Sequence, residues 1–174
     1  MLKLLKSPNW FLDATFKVAA RGYQQLLIII VYHPLFGTYL PAAYVLMGSK
    51  TYDSYIFALS NLKLLCEALG VKPDPTYVMC DFEAGMRKAI RKYYPETTIT
   101  GCYFHYCKAL WHYAATHSLT TKEKLYDTIL MITFFKLFAL IPIEERQELF
   151  NDLFVMYKTR DKAFNDLLTY FKKN

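Results

Sequence analysis

Two aspartates lie in or at the end of apolar runs that are typical of buried strands. Asp81 ends the run 77–81, and a helical pattern begins directly after it, while Asp13 lies in the aromatic-rich run 10–16. Open α/β sheets place their chemistry at the C-terminal ends of buried strands. If the two strands are neighbours, the carboxylates repel each other and favour a divalent metal. Metals held in this way activate water and stabilise the leaving oxygen in phosphodiester cleavage.

A structural interpretation of the same acidic residues stays open from spacing alone. Asp13 and Asp81 could be strand-end residues that cap the following turn or helix. Glu83, two residues after Asp81, falls at the start of the predicted helix, where a negative charge stabilises the helix dipole. A role for Glu83 as an accessory acid of a metal site is the second interpretation.

A second group of residues has side chains that can bind metal. Cys102 and His105 form a C-x-x-H motif, and Cys107 follows closely. Structural zinc sites need four ligands, and this motif has no distant second pair, so it is a weak zinc signal. We therefore interpret His105 as a structural or active-site-adjacent residue, and Cys102 and His105 together as a candidate structural or metal-binding motif.

Positive charge suggests a polyanionic partner. The net charge is +6 and the isoelectric point is about 9.0. Four basic residues share one face of the predicted helix 83–94, and a fifth follows in the next helix; these DNA-contact candidates are Arg87, Lys88, Arg91, Lys92 and Lys108. They could meet phosphates, although a solvated helix face is the usual explanation of such a run.

The elements that must position these residues change period along the chain. The pattern predicts three strands joined by turns, then two further strands that each follow a helix, and then helices alone. The predicted strands are 10–16, 24–33, 38–47, 77–81 and 97–104, and the predicted helices are 51–69, 83–94, 106–117, 123–140, one opening at Pro142, and 161–171. This order describes a mixed α/β sheet, with a domain boundary near Thr116: a core over 1–116 and a helical region over 117–174.

Composition excludes several classes of protein. Hydrophobic residues make up 54% of the chain, which argues against disorder. Four scattered cysteines do not make a disulfide scaffold. The apolar stretch 129–143 is interrupted by Lys136 and Pro142, so we expect a buried helix there and no membrane span. Phosphate-binding glycine loops and a G-x-S-x-G motif are absent from the sequence.

Three segments in order resemble the MULE transposase domain, the catalytic domain of Mutator-like transposable elements. They are 13–23 (DATFKVAARGY), 79–84 (MCDFEA) and 101–111 (GCYFHYCKALW), within a resemblance that covers roughly 9–140. The resemblance implies a ribonuclease-H-like fold followed by an all-helical insertion. It also implies that Asp13 and Asp81 are the first two acids of a DDE triad that binds Mg²⁺ or Mn²⁺, with DNA as partner, in the nucleus.

The chain departs from the family at the third acid. In the family a glutamate follows the helical insertion, whereas this sequence stops at Asn174, inside or just after the insertion-like part. We therefore expect a partial transposase core that is inactive alone. The alternatives are a domesticated non-catalytic protein that binds DNA or protein, including other transposase-derived chains, and a helical interaction module from a decayed element.

Overall fold

The fold is an α/β structure built on one mixed sheet. A computed structural model of the chain describes residues 1–157 and 161–173. Five strands form the sheet in the order β3-β2-β1-β4-β5; they are β1 (Asn9–Thr15), β2 (Gln25–His33), β3 (Thr38–Met47), β4 (Tyr77–Cys80) and β5 (Thr98–Gly101). β1 to β3 pair antiparallel, and β4 and β5 run parallel to β1. This is the ribonuclease-H-like mixed sheet that the sequence predicts.

The two faces of the sheet differ in burial because successive side chains of a strand point to opposite faces. On β1, Trp10 and Leu12 are buried in the core, whereas Phe11 and Asp13 alternate with them and are half-buried. β2 repeats this pattern, with Leu27 buried and its neighbours half-buried. Asp13 therefore lies on the more open face of the central strand.

The hairpin of β2 and β3 ends the sheet on one side. Gly37, in the turn between the strands, has a φ of +59°, which favours glycine. The register shifts at Ile29 and Ile30, opposite Pro41, which lacks a backbone donor. Proline is tolerated there because β3 is an edge strand.

Two helices pack on the buried face of the sheet. They are α1 (Tyr52–Ala68) and α2 (Ala84–Tyr93). Thr51 caps α1, its side chain accepting a hydrogen bond from the backbone of Ser54. Gly70, at a φ of +65°, closes α1: its N–H donates to Glu67 O and the N–H of Val71 to Cys66 O, the pattern of a Schellman motif.

The second unit of the described chain is helical. Its helices are α3 (Tyr103–Thr116), α4 (Leu125–Phe138), α5 (Arg146–Tyr157) and α6 (Lys162–Lys173), with a short 3₁₀ turn at Ile143–Glu145 before α5. They surround their own core, which includes Leu110, Met131 and Phe135. No helix within the described residues combines the length and the apolar character needed to cross a membrane.

The structure divides the chain at a different point from the change of pattern near Thr116. The first compact unit is 1–102 and the second is 103–174, so α3 packs with the later helices. The predicted strand 97–104 is too long, because Tyr103 and Phe104 already belong to α3. Aromatic residues suit strands by propensity, but Tyr103 and Phe104 are exposed and form the start of α3, whose buried residues Leu110 and Ala114 belong to the second core.

Candidate functional site

Asp13 lies on β1 and Asp81 directly follows β4, the parallel neighbour of β1. Each paired residue of β1 faces the residue 68 positions later, as Trp10 faces Val78 and Phe11 faces Met79. The same offset, continued two residues further, puts Asp13 level with Asp81. Asp13 is near the C-terminal end of β1 and Asp81 directly follows β4. Both residues therefore lie at the C-terminal ends of these two parallel strands.

A turn fixes Asp81 after its strand. Its Oδ1 accepts a hydrogen bond of 3.0 Å from the backbone N–H of Glu83. Glu83 is the N-cap residue of α2, and its side chain makes no capping hydrogen bond. Its backbone carbonyl accepts from the N–H of Arg87 instead and starts the helix. The local backbone from β4 to α2 therefore orients Asp81, and Glu83 is not in the helix but directly before it.

The Glu83 side chain is held by a buried tyrosine. The Tyr55 hydroxyl, on α1, donates to Glu83 Oε2 at 3.0 Å and accepts from Gln25 Nε2 at 2.9 Å. Burial first, and then the carboxylates of Glu83 and Asp81, raise the pKa of Tyr55 well above its ordinary value. The hydroxyl therefore keeps its proton and remains a donor to Glu83 at physiological pH.

The acidic pair suits a divalent cation in ligand type. Carboxylate oxygens are the ligands that Mg²⁺ prefers, and Mg²⁺ is usually bound through one or two carboxylates together with waters and substrate phosphates. Within residues 1–157 and 161–173, however, no group of three or more His, Cys, Asp or Glu side chains is placed to hold a metal ion. Asp13 and Asp81 are thus the two candidate carboxylates, and the Glu83 side chain accepts its hydrogen bond from Tyr55.

The C-x-x-H motif is divided between the two units. Cys102 follows β5, and its N–H donates to the carbonyl of Cys80 at 2.8 Å, which extends the pairing of β5 with β4. His105 and Cys107 lie in the first turns of α3. All three are half-buried.

The basic residues of α2 follow Asp81 in the sequence. Lys88, Arg91 and Lys92 are exposed, whereas Arg87 is half-buried over the Phe82 ring, its guanidinium carbon 5.7 Å from the ring centroid. Lys108 is exposed on α3, in the second unit. The first unit therefore presents three exposed cations on the helix that begins beside Asp81.

Sequence reasoning missed two residues next to the site, Tyr55 and Gln25. Tyr55 falls within the predicted helix 51–69, where the three- and four-residue spacing of apolar residues predicts only a buried position, and it is fully buried. Gln25 gave a usable signal: it is a polar residue inside a run of apolar strand residues, and a buried amide needs a hydrogen-bond partner. What the sequence lacked was the identity of that partner, which lies 30 residues away.

Comparison with known proteins identifies one family. The family model of the MULE transposase domain matches residues 9–109, more than half of the chain, including both aspartates. Among solved structures, a simian T-cell lymphotropic virus intasome in complex with the PP2A regulatory subunit B56 gamma is similar, with 14% identity and a TM-score of 0.35. The match covers 90% of this chain and 50% of that chain. A search of curated proteins gives no match.

Proposed function

Because this chain belongs to the MULE transposase domain family, we propose that its first unit is a DNA-processing core of the DDE type. In this proposal Asp13 and Asp81 hold a divalent cation, Mg²⁺ or Mn²⁺, at the C-terminal ends of β1 and β4. The observation that supports the proposal is the parallel register of β1 and β4, whose offset, continued two residues beyond the last paired residues, would bring the two aspartates level. When bound, such a cation would supply Lewis-acid stabilisation of charge on a phosphodiester.

The residues of this chain have separate parts in the proposal. Asp13 and Asp81 supply oxygen ligands, and the turn between β4 and α2 holds Asp81 in orientation. The exposed cations of α2 would bind the phosphates of the DNA strand. We expect this chain alone to cleave DNA weakly or not at all, because the described residues place no third carboxylate beside the pair.

Metal binding tests the core of the proposal. Titration of the full chain with Mn²⁺, with free Mn²⁺ followed by electron paramagnetic resonance, should show one site that Asp13→Asn and Asp81→Asn each weaken at least about tenfold. Asp74→Asn is the matched control, because this exposed aspartate precedes the N-terminal end of β4. Equal Mn²⁺ affinity of Asp81→Asn and the unmodified chain would overturn the proposal.

Cleavage of supercoiled plasmid in Mg²⁺ tests the expected weakness of catalysis. The unmodified chain should nick plasmid no faster than Asp81→Asn. Robust nicking that Asp81→Asn abolishes would contradict that expectation. It would still agree with metal binding by Asp81.

DNA binding separates a second candidate function, a non-catalytic DNA- or protein-binding protein derived from a transposase. The exposed basic face of α2 favours it, since this surface does not depend on the metal. Binding to a duplex should fall with salt, and replacing Lys88, Arg91 and Lys92 by alanine should lower the slope of log K against log salt by about 3. Replacing Lys3, Lys6 and Lys72, which are also exposed in the first unit, changes the net charge equally and should leave most of the slope.

The aspartate variants distinguish the two functions. DNA binding that survives Asp13→Asn and Asp81→Asn, in a chain that binds no Mn²⁺, would favour the non-catalytic protein. Self-association on DNA would add other transposase-derived chains as partners. Nuclear location is part of either proposal, because DNA is the shared partner, and a fluorescent fusion that stays out of the nucleus would count against both.

A further inference from the structure

A chain of three hydrogen bonds runs from the interior of the first unit to Asp81. Gln25 Nε2 donates to the Tyr55 hydroxyl, the hydroxyl donates to Glu83 Oε2, and the Glu83 N–H donates to Asp81 Oδ1. These residues come from β2, α1 and the turn before α2. Two elements distant in sequence, β2 and α1, therefore meet at the turn between β4 and α2.

The chemistry of the groups determines which one donates and which one accepts in each of these hydrogen bonds. A tyrosine has one hydroxyl proton, and here that proton goes to Glu83, so the hydroxyl can only accept from Gln25. The amide of Gln25 meets this requirement with its NH₂ group, which also contacts the Met47 sulfur at 3.5 Å. Gln25 thereby prevents the Tyr55 proton from pointing inward.

The buried end of this hydrogen-bond series, at Gln25, costs folding free energy. Gln25 and Tyr55 are both 0% exposed, and Gln25 Oε1 is buried with no hydrogen-bond partner among the described residues. A buried polar atom without a partner costs about 1–3 kcal/mol. An apolar side chain would avoid this cost, so the amide is better explained by what it orients than by stability.

The backbone also brings the two helix starts together. A Cβ at Gly85 would lie 3.2 Å from the Tyr52 backbone nitrogen. Glycine at this position lets the first turn of α2 approach the first turn of α1. Tyr55, one turn further along α1, can then reach Glu83.

We propose that Tyr55, oriented by Gln25, is a positioning residue that anchors Glu83 and through it holds Asp81 in the geometry that binds the cation. The inference rests on the proposed function, because it assigns a task to residues around the same site. Tyr55 touches neither metal nor DNA in this account. Glu83 acts as an anchored side chain and not as a metal ligand.

Removal of one hydroxyl tests the anchor. Tyr55→Phe keeps the ring and its packing, and should weaken Mn²⁺ binding by the full chain about tenfold, the lower end of the effect of residues that orient metal ligands. Tyr94→Phe is the matched control: Tyr94 is also buried, and its hydroxyl has no hydrogen-bond partner among the described residues. Unchanged Mn²⁺ affinity of a folded Tyr55→Phe variant would overturn the inference.

Variants of Glu83 test the same anchor without a change in the core, so the result stands even if Tyr55→Phe does not fold. Glu83→Gln can still accept from Tyr55 and should keep Mn²⁺ affinity within about threefold, whereas Glu83→Ala should lose about tenfold. Equal losses in both would make Glu83 a ligand and overturn the positioning role. Unchanged affinity in Glu83→Ala would overturn the anchor as well.

Asp81→Asn separates failure of this inference from failure of the proposed function. If Asp81→Asn abolishes Mn²⁺ binding but Tyr55→Phe and Glu83→Ala do not weaken it, only the positioning role fails. If Asp81→Asn has no effect, the metal site and the anchor built on it fail together.

Discussion

The ring of Phe82 lies across the position that a Cβ of residue 101 would occupy. Gly101 ends β5, and an added methyl there would overlap the ring. Phe82 directly follows Asp81 and is 48% exposed, and the Arg87 guanidinium lies over its ring. The absence of a side chain at Gly101 therefore determines where the residue after Asp81 can lie.

We expect Gly101→Ala to destabilise the first unit only while Phe82 is present. With the ring in place, the overlap should cost about 1 kcal/mol, the low end of the range for overpacking, because the half-exposed ring can turn partly aside. In a Phe82→Ala background the same change should be neutral or slightly stabilising, because alanine suits a strand better than glycine. Urea unfolding of the unmodified chain, the two single variants and the double variant gives the coupling energy between positions 82 and 101. A coupling energy near zero would contradict the contact between the Phe82 ring and residue 101.

Gly85→Ala should destabilise the chain although it lies in a helix. Alanine in a helix interior is favoured over glycine by about 1 kcal/mol. Here the added carbon would press on the Tyr52 backbone at 3.2 Å, and backbone cannot turn aside as a side chain can. We expect a net loss of about 1 kcal/mol.

Gly48→Ala is the control for this measurement. Gly48 has no positive φ, and nothing lies within 4 Å of its added Cβ. Its unfolding free energy should change by less than about 0.5 kcal/mol. A stabilised Gly85→Ala chain would show that α1 and α2 have room to separate.

The four thiols should fall into two classes of reactivity. Cys66 and Cys80 are fully buried, and burial raises the pKa of both, that of Cys80 to about 11. At pH 8 only about 0.1% of Cys80 would be thiolate, the reactive form. A thiol-reactive chromophore should therefore label the half-buried Cys102 and Cys107 first, and all four in denaturant. The folded Cys80→Ser variant should still label rapidly at two sites. Rapid labelling of only one site in this variant, or of four sites in the folded unmodified chain, would contradict this order.

The second unit should lose stability in acid through Asp161. A hydrogen bond from Lys124, and then the backbone N–H of Ala163, lower the pKa of Asp161 in the folded chain. A depressed folded pKa means that the stabilisation is present above the ordinary value of about 4 and is lost as pH falls through the folded value. Asp161→Asn, which can still cap α6, should be less stable than the unmodified chain at pH 6.

Thermal unfolding followed by circular dichroism between pH 6 and pH 2.5 measures this effect. The difference between Asp161→Asn and the unmodified chain should shrink as pH falls. Asp152→Asn, at an exposed position on α5, should not show such a pH-dependent difference. A difference for Asp161→Asn that stays constant with pH would exclude the ion pair with Lys124 as its cause.

The sheet could be predicted from the sequence because its signals are local. The local pattern predicted strand 38–47 with the bounds that the structure gives, and helix 51–69 to within one residue of α1 at each end. The end of β5 was predicted wrongly because Tyr103 and Phe104 have strand propensity but are helical in a context of non-local packing. Local patterns carry no information on such packing.

The site was predicted only in part for the same reason. Asp13 and Asp81 were identified by strand position and by family resemblance, and the structure pairs their strands in parallel. Their roles as ligands stay a prediction. The hydrogen bond from Tyr55 to Glu83 joins residues 28 positions apart, and no spacing rule connects a helix tyrosine with an acid in a distant turn.

The offset of 68 residues between β1 and β4 has a consequence for biosynthesis. The antiparallel strands β1 to β3 are neighbours in sequence and can pair as they leave the ribosome, whereas β1 must wait for β4. At about 5–20 residues per second, roughly 3 to 14 s separate the synthesis of Asp13 from that of Asp81. During that interval one side of β1 has no partner strand, so a nascent chain is open to wrong strand pairing at the position where the carboxylate pair will later form.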